Sequence, residues 1–141
     1  MKKYNWCLVL CIILLIVICS ILLHQKNSEH QKMEELCQTS AYSALEHFRN
    51  YQSSGKESDY LKGVAEFRCF MTAYLFLNDN TSNAEYTWCN IIYGSMVLYP
   101  ETVQQDVQGL IDALEYLSED YDSVNGFHLI NVYSNQLQHG N

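Results

Sequence analysis

Eighteen consecutive uncharged residues, from Trp6 to Leu23, constrain the fold of this chain more than any other feature. After Trp6 the run is aliphatic except for Ser20 and three cysteines. An α-helix rises about 1.5 Å per residue, so the run covers roughly 27 Å, close to the hydrocarbon thickness of a bilayer. The sequence therefore predicts a single transmembrane helix, with the lipid bilayer as the partner of residues 6–23.

Two other structures are compatible with such a run: a cleaved signal peptide and a helix buried in a soluble core. Lys2 and Lys3 match the positive start of a signal peptide. The run is longer than the usual apolar region of about 7–15 residues, and no pair of small residues follows it to mark a cleavage site. We therefore predict that residues 1–27 are a cytosolic stub and an uncleaved transmembrane anchor.

The basic residues near the two ends of the span predict its orientation. Lys2 and Lys3 lie within a few residues of the N-terminal end, whereas Lys26 and Lys32 lie farther out, among glutamates. Basic residues favour the cytosolic side. The sequence thus predicts a single-pass protein of the cell membrane, with a cytosolic N-terminus and residues 28–141 outside the cytosol.

The charge of the C-terminal domain limits the classes of molecule that it can bind. All 16 acidic residues of the chain follow the apolar run, and Arg68 is the last basic residue. Nucleic-acid binding needs Lys and Arg to replace counterions on phosphates, so the sequence predicts no nucleic-acid partner. The acidic surplus is compatible with a basic protein partner or with divalent cations, and an acidic surface also simply keeps a domain soluble.

The apolar residues of the domain recur at three- and four-residue steps, and no segment alternates like a strand, so we predict an all-α fold. Turn-forming residues and Pro100 separate five predicted helices. These are residues 28–52, 59–78, 83–99, 100–119 and 123–138. Short connections predict a four- to five-helix antiparallel bundle, an acidic helical domain over residues 28–141 that follows the transmembrane helix.

Two of these helices carry the clearest patterns. Helix 100–119 has one apolar face, which consists of Val103, Val107, Leu110, Ile111, Leu114 and Leu117. Helix 59–78 has a main stripe and a second stripe on the opposite side, made of Ala65, Cys69, Ala73 and Phe76. A helix that is apolar on two sides is usually central, so we predict that helix 59–78 is the most buried element.

The cysteines, histidines and acidic residues of the domain match no known catalytic or metal-binding motif. Cys37, Cys69 and Cys89 are an odd number, which allows one Cys69–Cys89 disulfide or free buried thiols. His47 and His128 are predicted to be interface or core histidines. Residues 119–126 are rich in oxygen ligands but do not match the calcium-loop register, so a turn and a helix cap explain them better. We assign no catalytic, metal-ligating or cofactor-binding residue and expect no cofactor.

Three hypotheses for function remain. The first is a membrane-anchored, non-enzymatic helical domain that binds a protein partner outside the cytosol. The second is an accessory subunit of a larger membrane complex, held partly through the span. The third is an enzyme of unrecognised type that uses carboxylates of the bundle. An exposed apolar patch would favour the first two, and a pocket in which Glu, His or Tyr side chains converge would favour the third.

Overall fold

The computed structural model describes residues 2–78 and 83–139, with side chains described at Trp6 and from Ile12 onward. These residues form six helices and no strand, which confirms the all-α prediction. The helices are α1 (Lys2–Ser54), α2 (Glu57–Asn78), α3 (Ala84–Leu98), α4 (Pro100–Gln105), α5 (Gln108–Glu119) and α6 (Val124–His139). The chain divides into two compact units, Met1–Lys32 and Met33–Asn141.

The first unit consists of the N-terminal part of α1. Among the described residues, one helix is long and apolar enough to cross a bilayer, and its candidate span lies in Ile12–Ser54. The most apolar stretch of 18 residues, which we call the apolar window, has a mean hydropathy of 1.4. None of that window is buried against the rest of the protein. The Ser20 hydroxyl donates to the carbonyl oxygen of Ile16 at 2.8 Å, which satisfies this polar group without water.

The core of the second unit begins where the C-terminal part of α1 packs on α2. The rings of Phe48 and Tyr60 lie 6.0 Å apart, and Phe48 also covers Gly63. A Cβ atom at Gly63 would lie 2.8 Å from Phe48 Cε1, so glycine permits this close approach. Helix α3 packs against α2, α4 and α6, and α5 packs against α6. The core thus draws on every helix of the unit.

The predicted helix 100–119 is two helices, so its predicted boundaries are wrong. Helix α4 ends at Gln105, and α5 begins at Gln108. The hydroxyl of Tyr133 donates to the carbonyl oxygen of Asp106 at 2.7 Å, which holds this carbonyl outside the helical ladder. The predicted apolar face is nevertheless buried in full, since the break does not rotate Val103 and Val107 out of the core.

The prediction that α2 is the most buried element is also wrong, because seven of its 22 residues are buried, against five of the 12 residues of α5. Of its second stripe Ala73 is buried, whereas Ala65, Cys69 and Phe76 are exposed. The described residues place no helix over this side of α2. Leu36, Val97 and Val124 are exposed apolar residues of other helices.

Of the two alternatives for the domain cysteines, buried free thiols are confirmed at Cys37 and Cys89, and of the two histidines His128 departs from its prediction. Cys69 is exposed and unbridged, and Cys37 and Cys89 are buried free thiols, so the Cys69–Cys89 disulfide does not form. His47 is half-buried, whereas His128 is exposed.

A few sequence features lie outside the described residues. They are the glycosylation triplet Asn80-Thr81-Ser82, Gly140, and the side chains of Tyr4, Cys7 and Cys11.

Candidate functional site

The most site-like feature of the second unit is a cavity of about 420 Å³ between the beginnings of α3 and α6, which we call the acidic pocket. Its walls combine two carboxylates, an imidazole, an amide and apolar or aromatic side chains. They are Glu85, Trp88, Asp122, Val124, Phe127, His128 and Asn131.

Asp122 is held by the turn between α5 and α6. The backbone N–H of Asp122 donates to the Asp120 carboxylate at 3.1 Å, and the N–H of Ser123 donates to the Asp120 carbonyl at 3.0 Å. The Ser123 hydroxyl then accepts from the N–H of Gly126 at 3.4 Å, at the start of α6. A turn followed by a helix cap was predicted for residues 119–126 and is confirmed.

Glu85 is placed by the cap of α3. Asn83 is the N-cap residue, and its Oδ1 accepts from the N–H of Glu85 at 2.8 Å. The Nδ2 of Asn83 donates to the Tyr74 hydroxyl at 3.4 Å, and this hydroxyl donates to Asp122 Oδ1 at 3.4 Å. A chain of hydrogen bonds therefore joins α3 and α2 to the turn that carries the second carboxylate.

Two aromatic rings, those of Trp88 and Phe127, line the pocket together with the carboxylates, and we call them its aromatic floor. Phe127 is buried, with its ring centroid 4.7 Å from that of Tyr74 and 6.4 Å from that of Phe70. Trp88 is half-buried in the wall, and Val124 at the rim is 85% exposed. The pocket thus offers rigid apolar surface beneath a polar rim.

The phenols of Tyr74 and Tyr121 and the thiol of Cys37, which interact with Asp122, stay protonated at neutral pH. Burial raises the pKa of Tyr74 well above its ordinary value, and nearby Asp122 adds to this effect. Burial also raises the pKa of Tyr121 to about 12, together with its hydrogen bond to Glu34 Oε1 at 3.0 Å. Burial raises the pKa of Cys37 to about 12. These groups therefore act as neutral donors or packing groups and add no charge to that of the carboxylates.

This arrangement is suited to a cation with an apolar stem. Carboxylates attract an ammonium or guanidinium group, and the face of a Trp or Phe ring attracts the same cation. The methylene groups of Lys or Arg can lie along the apolar floor. Within the described residues no three His, Cys, Asp or Glu side chains come together in a way that could hold a metal ion.

A second concavity of about 220 Å³ lies near the turn at Gly55. Its lining is mostly amide, from Gln52, Gln104, Gln105 and Gln108, with one carboxylate from Asp106. Gln52 and Gln108 hydrogen-bond to each other at 2.7 Å. Because these two amides already hydrogen-bond to each other, this concavity offers a ligand fewer free polar groups than the acidic pocket does.

The sequence did not reveal the acidic pocket. Its carboxylates stand far apart in the chain and each looks like ordinary surface. Two local signals were present: the turn at Asp120–Ser123 and the cap at Asn83, which fix the backbone on either side of the pocket. No protein-family model, no curated protein and no solved structure matches the chain.

Proposed function

We propose that this chain is a single-pass membrane protein whose acidic helical domain, residues 28–141, binds a basic protein partner outside the cytosol. In this proposal a lysine or arginine side chain of the partner enters the acidic pocket. The observation that carries the proposal is the pairing of two carboxylates with an aromatic floor in a part of the chain that has no Lys or Arg after Arg68.

For the domain we propose an antiparallel bundle made by the C-terminal part of α1 and the helices that follow. The contacts of α3 with α2 and α6, and of α5 with α6, support it. The bond from the Tyr60 hydroxyl to the Met96 carbonyl at 3.2 Å joins the start of α2 to the end of α3, as expected for antiparallel neighbours. Such a scaffold places the pocket where the starts of α3 and α6 meet.

Membrane attachment and orientation complete the proposal. Two observations support insertion into a bilayer: the N-terminal helix is long and apolar, and none of its most apolar stretch is buried. Lys2 and Lys3 support a cytosolic N-terminus. A domain with this sign of charge attracts a basic partner over a distance of about a Debye length, roughly 8–10 Å at physiological salt, and the pocket then selects the inserted side chain.

The binding test uses the full chain in detergent micelles and an oligolysine peptide as the probe. Glu85→Gln and Asp122→Asn each keep the shape of the side chain and remove one charge. We expect either substitution to weaken oligolysine binding about fivefold, which corresponds to about 1 kcal/mol. Titration calorimetry at low and at physiological salt measures the effect.

Glu101→Gln is the matched control, because Glu101 is an exposed acid on α4 and does not line the pocket. It removes the same charge and is expected to leave binding within a factor of two. If all three variants weakened binding equally, the attraction would reflect net charge alone, and the pocket would have no role. An oligoglutamate peptide of equal length should show no binding.

An enzyme is the second candidate, because Glu85, Asp122 and His128 line one cavity. Proton-transfer catalysis needs such groups within hydrogen-bond reach of a substrate. The Asp122 contact that the structure shows is with Tyr74, which supports a positioning role for this carboxylate. Turnover of a substrate that is lost in both Glu85→Gln and Asp122→Asn, together with the absence of peptide binding, would favour the enzyme.

A further inference from the structure

Asn125, the second residue of α6, is the one asparagine of the chain that a glycine follows. Asn125 is exposed, whereas Gly126 is buried. An asparagine loses its side-chain amide when the backbone nitrogen of the next residue attacks the amide carbon, Cγ. A following glycine hinders this attack least, because it has no Cβ atom. The pair therefore combines an accessible amide with an unhindered nucleophile.

Packing explains why a glycine stands after Asn125. A Cβ atom at position 126 would lie 2.7 Å from Leu117 Cγ and 3.3 Å from the carbonyl oxygen of Ala113. Leu117 and Ala113 are both buried on α5, so a larger residue at this position would overpack the core. The reactive pair is thus a consequence of the close contact between α5 and α6.

The attacking nitrogen is held by one long hydrogen bond. The N–H of Phe127 donates to the Ser123 carbonyl oxygen at 3.0 Å, as in a regular helix. The N–H of Gly126 donates instead to the Ser123 hydroxyl at 3.4 Å. This distance exceeds the usual range of about 2.7–3.2 Å for an N–H donor and an oxygen acceptor. The Gly126 nitrogen is therefore more easily released than one in the middle of a helix.

The first turn of α6 must open before this nitrogen can reach Cγ. A helix has a ψ angle of about −42°, and closure of the five-membered ring requires the backbone of Asn125 to rotate away from it. Val124, the first residue of α6, is 85% exposed, so the rotation breaks little packing. Helix ends open at a small fraction of the free energy of global unfolding. Opening of this turn therefore sets the rate of attack.

We infer that Asn125 is a site of spontaneous deamidation, gated by the first turn of α6. The Gly126 nitrogen gives up its proton to hydroxide and forms a bond to Asn125 Cγ. The Cγ–Nδ2 bond breaks, and the amide nitrogen takes a proton from water and leaves as ammonia. Water then opens the imide, at Cγ to give aspartate or at the backbone carbonyl carbon to give isoaspartate. The net reaction consumes one water and releases one ammonia, without an oxidant.

The aspartate product changes the charge next to the acidic pocket. Val124 and Phe127, on either side of the Asn125–Gly126 pair, both line this pocket. The first turn of α6 holds no acidic residue, and the N-terminus of a helix attracts negative charge, so an aspartate is favourable there. It should strengthen the attraction of the pocket for a cation, and this consequence rests on the proposed function. The deamidation itself does not.

The first test follows deamidation in the full chain, folded in detergent micelles at pH 8 and 37 °C. A protease that cuts after Glu releases the peptide from Asp120 to Asn141. This peptide contains two internal controls, Asn131 and Asn135, which valine and glutamine follow. Fragment masses should show that Asn125 converts at least tenfold faster than either control, with isoaspartate among the products. Equal rates at the three positions would overturn the inference.

The second test examines the gate. Ser123→Ala removes the hydroxyl that accepts from the Gly126 N–H and should speed the conversion of Asn125 at least twofold. Ser118→Ala is the matched control, because the Ser118 hydroxyl donates to the Glu115 carbonyl within α5, and it should leave the rate unchanged. Urea, which unfolds the chain, should speed the conversion at least tenfold. A rate that is the same in the folded and the unfolded chain would contradict gating by the turn.

The third test measures the effect on the pocket with the oligolysine probe. Asn125→Asp reproduces the aspartate product and should tighten oligolysine binding about twofold. The matched control is Asn90→Asp, an exposed position of α3 outside the pocket lining, which should leave binding unchanged. Equal effects of the two variants would mean that the product acts through net charge alone and would overturn its link to the pocket. Absence of oligolysine binding in every variant would refute the proposed function, whereas the fragment masses decide the deamidation by themselves.

Discussion

Gly109 at the start of α5 tests how tightly α5 and α6 pack, and Gly109→Ala is the most informative single substitution for it. A Cβ atom at this position would lie 2.7 Å from Tyr133 Cδ2 and 3.3 Å from Cε2. The Tyr133 ring is buried, and its hydroxyl is tied to the Asp106 carbonyl at 2.7 Å. The ring therefore moves only if it gives up this hydrogen bond.

The expected loss of stability combines three contributions. Overpacking a well-filled core costs about 1–3 kcal/mol. Loss of the Tyr133–Asp106 hydrogen bond costs about 0.5–1.5 kcal/mol. Alanine returns up to about 1 kcal/mol, because it is a better helix former than glycine. We expect a net loss of about 0.5–4.5 kcal/mol in the free energy of unfolding, or about 4–8 °C in melting temperature for each kcal/mol.

The matched control is Gly94→Ala in the middle of α3. Apart from its own helix backbone and chain neighbours, no atom of the described residues lies within 4 Å of a Cβ built at Gly94, so this variant should gain about 0.5–1 kcal/mol from helix propensity alone. Urea unfolding of the full chain in micelles, followed by the fluorescence of Trp88 in a Trp6→Phe background, measures both variants. The reasoning would be refuted if Gly109→Ala were as stable as Gly94→Ala, or if Tyr133→Phe failed to reduce the cost of Gly109→Ala.

Two further predictions concern pH and the membrane. Burial raises the pKa of Cys37 from 9.0 to about 12 and that of Tyr74 above 10.0. Above about pH 9 the unfolded chain therefore loses these protons before the folded chain does. The free energy of unfolding then falls as pH rises. The same unfolding assay at pH 7, 9 and 10 should show this fall, and Tyr74→Phe should make it shallower; a rise with pH would contradict the burial of these groups. The full chain should stay in the membrane fraction after a carbonate wash with its N-terminus intact, and a C-terminal reporter that works only in the cytosol should be silent. A soluble product starting near His24 would indicate a signal peptide, and an active reporter would reverse the topology.

The sequence predicted those parts of the fold that depend on local pattern. The face made by Val103, Leu110, Leu114 and Leu117 could be found because each residue is apolar and the steps match a helix. The break after Gln105 could not be found from a local pattern; at this break the Asp106 carbonyl accepts a hydrogen bond from Tyr133, a residue of a different helix.

The errors on α2 and at the pocket have a related cause. Periodicity shows that Cys69 and Phe76 lie on an apolar side of α2, but it does not show whether another helix of the same chain covers that side. The acidic pocket needs Glu85 beside Asp122, and this proximity follows from the packing of α3 on α6. The sequence shows the capping residues of α3 and α6, but it does not show that the starts of these two helices lie close together in space.

The uneven distribution of basic residues has a practical consequence for proteomics. Trypsin cleaves after Lys and Arg, and helices α3 to α6 contain neither. Everything from Cys69 to Asn141 therefore leaves a digest as one long acidic peptide that ordinary mass spectrometry recovers poorly. Amine-reactive cross-linkers and biotin labels attach to α1, α2 and the turn between them and miss the acidic pocket. A search for partners therefore needs carboxylate-directed reagents and a protease that cuts after Glu or Tyr.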